Sequence, residues 1–139
     1  MTARKLSAFL VEDSPLLRSQ VTELLEELAP VIVVDVAEDE TEALDWLVRD
    51  GNHCDVAVVD IFLKRGNGLM VLQKAVKLRP DVHFVVLSNA ATAEVRRWCD
   101  QLGARAVFDK STEIDDLVRY CSEFAGKSLA VRSGQGRGR

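Results

Sequence analysis

Acidic, hydroxyl and amino side chains recur at four points of this chain where a short apolar run ends. Glu12 and Asp13 follow residues 6–11, Asp60 follows 56–59, Ser88 closes 82–87, and Lys110 follows shortly after 106–108. Three carboxylates crowded together would repel one another and raise one another's pKa values unless a cation neutralised them. An all-oxygen donor set with room for water suits Mg²⁺ over zinc or copper. Lys110 brings a compact charge suited to a phosphoryl oxygen, and Ser88 a hydroxyl. Brought together, these groups could hold a divalent cation beside a phosphoryl group.

The elements that would have to position them alternate along the chain. Residues 6–11 read as a strand, and Ser14-Pro15 then opens a helix, with Ser14 as N-cap and Pro15 at its first position. Its stripe is Leu17, Val21, Leu24, Leu25 and Leu28, and Pro30 stops it. A strand at 31–37 precedes a helix over 41–49 with Ala43, Leu44, Leu47 and Val48 inward. The third strand, 56–60, is apolar until its last residue, as expected where both faces of a parallel sheet are covered. After the break Gly66-Asn67-Gly68 come a helix over 69–78, a strand over 82–88, a helix over 92–102, a strand over 104–109 and a helix over 113–124. Thr112 and Asp115 stand in capping-box register at the head of the last helix.

This pattern predicts a flavodoxin-like, doubly wound (βα)₅ domain over 1–125, with a five-stranded parallel sheet of order 2-1-3-4-5. In such a sheet ligands bind beyond the carboxyl ends of the strands, where the strand order reverses. That point lies between strands one and three, which end in Glu12-Asp13 and Asp60. Ser88 and Lys110 end the next two strands along the same edge.

Composition narrows the classes. A chain of 139 residues with 47% hydrophobic content is long enough for one real core. Its net charge of −4 argues against nucleic acid as the main partner. Residues 126–139 hold Lys127, Arg132, Arg137 and Arg139 and no acid, which leaves 14 bases against 22 acids in the first 125. That segment, rich in Gly, Ser and Arg, is expected to be a disordered, solubilising tail. Cys54, Cys99 and Cys121 lack disulfide or zinc spacing. With no membrane-length apolar run and no signal-peptide pattern, the expected location is the cytoplasm.

Four motifs, in order and at these spacings, resemble the receiver domain of two-component response regulators, in particular the single-domain chemotaxis type. They are L-V-E-D-S at 10–14, V-V-D-I-F-L at 58–63 with G-N-G-L at 66–69, V-L-S-N-A at 86–90 and F-D-K-S at 108–111. The resemblance implies that Asp60 accepts a phosphoryl group from a sensor histidine kinase or histidine phosphotransfer protein. It further implies that Asp13, Asp60, the Phe62 carbonyl and, mainly through water, Glu12 bind Mg²⁺. Ser88 and Lys110 would contact the phosphoryl group after transfer. The domain would catalyse only its own modification, acting as a monomer or weak homodimer without a DNA-binding domain, through an unknown downstream protein.

Departures from the family pattern matter. Val107 stands where the family usually has the aromatic that swings inward, and Ser111 stands where it prefers proline. Phe62 and Ala90 occupy the two positions that tune dephosphorylation in the family, and neither can orient a water, so a slowly hydrolysing acyl phosphate is expected. Trp98, with Arg97 and Tyr120, is a candidate partner face, the alternative being that Trp98 covers the edge of the core. Two other functions compete. A phosphorylation-independent scaffold would explain Val107. A Mg²⁺-dependent phosphohydrolase would need an acid two residues after its aspartate, and Phe62 stands there.

Overall fold

The computed structural model describes residues 5–137, with side chains through Lys127. Ten elements alternate in the order β1 (Leu6–Val11), α1 (Pro15–Leu28), β2 (Val31–Ala37), α2 (Glu40–Val48), β3 (Val56–Val59), α3 (Gly68–Leu78), β4 (His83–Ser88), α4 (Ala93–Gln101), β5 (Ala106–Asp109) and α5 (Ile114–Arg137). The five strands are parallel and ordered β2-β1-β3-β4-β5, the expected doubly wound arrangement.

Alternation along each strand builds two cores. Phe9, Ala57, Val59, Phe84 and Val86 face one side, under α2, α3 and α4, where Val71, Leu72 and Cys99 meet them. Leu10, Val58, Val85 and Leu87 face the other, under α1 and α5, with Val21, Leu25, Leu117 and Cys121. β3 is buried at every residue, and burying such apolar area is the main force holding the sheet between its helix layers.

Caps start four helices where polar residues precede apolar stripes. Ser14, Asp39, Asn67 and Thr92 each accept a hydrogen bond from the backbone N–H three residues on. The head of α5 is built differently from the Thr112–Asp115 box expected. Glu113 Oε1 accepts the Asp109 N–H at 2.8 Å, and the Glu113 N–H donates to the Asp109 carbonyl at 2.8 Å. The pairing thus closes one turn earlier, around the strand end.

Two further expectations shift. Val48 is 55% exposed, whereas Trp46 is buried and stacks on Phe9 with ring centroids 4.1 Å apart. The indole tolerates this place because its N–H donates to Asp35 at 3.0 Å. The last helix does not stop near Phe124 but continues to Arg137; no proline interrupts 125–137. The tail expected over 126–139 lies largely beyond the described side chains, and residues 138–139 lie outside the described residues.

Candidate functional site

Register puts the strand ends level. Val11 pairs with Val59 and Val59 with Val86, while Ser88 pairs with Asp109. The ladder continues one step into the loops. The Asp60 N–H donates to the Val11 carbonyl at 3.0 Å, the Glu12 N–H to the Ala37 carbonyl at 2.9 Å, and the Lys110 N–H to the Ser88 carbonyl at 3.0 Å. Backbone pairing therefore sets Glu12, Asp60, Ser88 and Lys110 along one edge before any side chain makes a contact.

The side chains then converge. Lys110 Nζ lies 2.8 Å from Asp60 Oδ2 and 2.7 Å from Glu12 Oε1, with all three side chains nearly buried. Glu12, Asp13 and Asp60 each offer a carboxylate oxygen within 4.8 Å of the others. A cleft of about 580 Å³ opens above them, walled by Leu16, Leu17, Gln20, Phe62 and Asn89.

Ser88 is fully buried, and its hydroxyl accepts the Ala90 N–H at 3.2 Å. Asp13 is half-exposed, and its Oδ2 accepts the Lys64 N–H at 2.7 Å. Phe62 is 58% exposed at the rim, and its N–H donates to Asp60 Oδ1 at 3.2 Å.

Burial pushes the Glu12 carboxyl above its ordinary value, and the nearby Asp60 charge adds to this. The Lys110 ammonium and the Ser14 N–H oppose the rise without cancelling it. For Lys110, burial pulls the pKa down, but hydrogen bonds to Asp60 and Glu12 outweigh it and the net shift is upward. Lys110 is thus a firm cation holding two buried acids together. The donor set is all oxygen and open on the Asp13 side, which fits a hard divalent cation with waters.

Three contributors were not read from the sequence. Gly68 starts α3 against the backbone of Asp60: a Cβ there would stand 2.2 Å from the Asp60 carbonyl oxygen. The signal for it was present in Gly66-Asn67-Gly68. Arg18 Nη1 donates to the Glu12 carbonyl at 2.8 Å and pins the β1–α1 turn. Arg96 pairs with Glu113 at 2.6 Å between α4 and the head of α5.

The proposed partner residues part company. Trp98 is 45% exposed and Arg97 is exposed on α4. Tyr120 is half-buried: its hydroxyl lies 2.5 Å from His83 Nε2 and its ring meets Phe108 edge-on.

A family model described as the response regulator receiver domain matches residues 8–122, and the chain belongs to that family. One relative is protein-glutamate methylesterase/protein-glutamine glutaminase 1 of Cupriavidus metallidurans, 35% identical over 146 residues that cover 96% of this chain and 40% of the relative. Another, the corresponding protein of Paramagnetospirillum magneticum, is 33% identical over 92% of this chain and 34% of its own length. The chain therefore spans two fifths or less of these curated relatives. Among solved structures, a CheY-like receiver domain protein from Methanospirillum hungatei matches with a TM-score of 0.77 at 23% identity, covering 91% of this chain and 98% of that one. That likeness is one of fold. No helix among the described residues is long and apolar enough to cross a membrane.

Proposed function

We propose that Asp60 accepts a phosphoryl group from the phosphohistidine of a sensor histidine kinase or a histidine phosphotransfer protein. The observation that carries this reading is the contact of Lys110 Nζ with a buried Asp60 inside a three-carboxylate cluster that opens to a cleft. In the transfer, an Asp60 carboxylate oxygen attacks phosphorus as the P–N bond breaks, and that bond's electron pair returns to the imidazole nitrogen. Mg²⁺, held by Asp13, Asp60, the Phe62 carbonyl and, mainly through water, Glu12, would supply neutralising charge. Lys110 stands where the incoming phosphoryl oxygens arrive, and positioning with charge neutralisation supplies the catalysis.

Ser88 then turns from the Ala90 N–H to a phosphoryl oxygen. The added negative charge biases a two-state surface that binds a partner or passes the group on. In this reading the domain works in the cytoplasm as a phosphorylation-dependent switch, with Trp98 and Arg97 on its partner face. The chemical test is exposure to phosphoramidate, a small P–N donor, with Mg²⁺. A phosphoryl group that hydroxylamine removes marks an acyl phosphate; a hydroxylamine-resistant product, or no product from any P–N donor, contradicts the reading.

Hydrolysis should be slow. Phe62 and Ala90 carry no side-chain polar atom, so neither can orient an attacking water. Followed by intact mass over time, the phosphorylated chain is expected to outlast a Phe62→Asn variant several-fold. Equal half-lives would remove Phe62 as the cause.

A further inference from the structure

Arg96, on the second turn of α4, places one guanidinium on three acceptors. Its Nε donates to the Ala91 carbonyl at 3.0 Å, Nη1 to the Val107 carbonyl at 2.7 Å, and Nη2 to Glu113 Oε1 at 2.6 Å. The same Glu113 oxygen accepts the Asp109 N–H at 2.8 Å. Ala91 lies three residues past Ser88, and Val107 three residues before Lys110. A single planar fork thus ties the loop that follows Ser88 to the strand that leads to Lys110 and to the head of α5.

We propose that this Arg96–Glu113 tie positions the Ser88 loop in the unphosphorylated state and is broken by phosphorylation, so that it couples the acceptor site to α4 and β5. The proposal rests on the phosphoryl-acceptor reading of Asp60. The Ser88 hydroxyl is engaged with the Ala90 N–H. In the proposed switch the hydroxyl turns toward a phosphoryl oxygen, to which it donates, and residues 89–91 move with it. The Ala91 carbonyl is what Arg96 holds, and a rigid fork loses its hydrogen bonds when an acceptor shifts by about an ångström.

At position 107 the aliphatic side chain is partly buried and packs against the core beneath α2, α3 and α4, offering no ring to swing. Its backbone carbonyl is gripped instead. Trp98 lies two residues beyond Arg96 and is 45% exposed, so a shift of α4 would be felt at the surface.

As an ion pair alone the tie is weak, because the Arg96 and Glu113 side chains are 40% and 31% exposed. Its effect comes from fixing several backbone groups at once. An interaction present in only one of two states opposes whatever stabilises the other, and its removal favours the second state. Deleting the tie should therefore raise affinity for a phosphoryl mimic.

The test uses the full chain with beryllofluoride and Mg²⁺ as probe, titrated under ¹H–¹⁵N NMR, for wild type, Arg96→Ala, Glu113→Gln and the double variant. In wild type the Arg96 Nε–H resonance should move on saturation. Each single variant should bind about five-fold or more tightly, and the double variant no tighter than the stronger single. If Arg96→Ala does not fold, Glu113→Gln carries the same comparison.

An unmoved Arg96 resonance at saturation, or variant affinities equal to wild type, would overturn the tie while leaving Asp60 as acceptor. Failure of wild type both to bind the mimic and to take a phosphoryl group would remove the acceptor reading and this proposal together.

Discussion

A Lys110→Met variant is expected to lose about 3–5 kcal/mol of stability near neutral pH, because it strips the counter-charge from two buried carboxylates. Only 9% of the Lys110 side chain is exposed, against 4% for Glu12 and 5% for Asp60. The loss should depend on pH in a definite direction. Burial already holds the Glu12 carboxyl above its ordinary value of 4.5, and Lys110 is one of the groups restraining it. Without Lys110 the folded state binds that proton still more tightly than the unfolded chain does. Stability from a raised carboxyl is present at low pH and is lost as pH climbs through the folded pKa. Urea unfolding followed through the buried Trp46 should thus show a smaller deficit at about pH 5 than at about pH 8. Mg²⁺ should return part of the loss at the higher pH, since a ligand of the folded state stabilises it. Equal deficits at both pH values, untouched by Mg²⁺, would mean that Lys110 acts only as packing.

Gly68→Ala should be nearly as damaging for a steric reason. The new Cβ would meet the Asp60 carbonyl oxygen at 2.2 Å and the Ile61 Cα at 2.8 Å, all backbone and none of it able to rotate away. Either α3 retreats or Asp60 shifts. Overpacking of this kind costs on the order of 3 kcal/mol. A displacement of Asp60 by about an ångström should lower the rate of phosphoryl uptake roughly 100-fold. Gly126→Ala on α5 is the matched control, since a Cβ there meets nothing within 4 Å. In a helix that change should stabilise by about 0.5–1 kcal/mol. A Gly68→Ala protein with wild-type stability and uptake rate would show that the close approach is not a constraint.

The strand ends were legible because an apolar run closed by a polar residue is how a covered parallel strand looks, and β3 shows it without interruption. Parallel register places Glu12 beside Asp60 and Ser88 opposite Asp109, one residue before Lys110, and the structure brings Glu12, Asp13, Asp60 and Lys110 together. Side-chain direction was not legible. Nothing in the order of residues says that the Ser88 hydroxyl turns to its own loop, or that Trp46 and not Val48 goes inward. The second depended on Asp35 lying within reach of an indole from another element. Arg96 was hidden for a related reason. An arginine on a charged helix reads as a solvated side chain, and two of its three acceptors are backbone carbonyls, which every residue carries. Gly68 was visible as a break but not as a contact, because its neighbour is the backbone of Asp60.

The most direct measurement is the intact mass of the wild-type chain and of Asp60→Asn after incubation with acetyl phosphate, with and without Mg²⁺. The expected result is a gain of one phosphoryl group by wild type, only with Mg²⁺, and none by Asp60→Asn. A gain that survives in Asp60→Asn would contradict the assignment of the acceptor. So would a wild-type chain that takes no phosphoryl group from acetyl phosphate and none from a phosphorylated histidine donor.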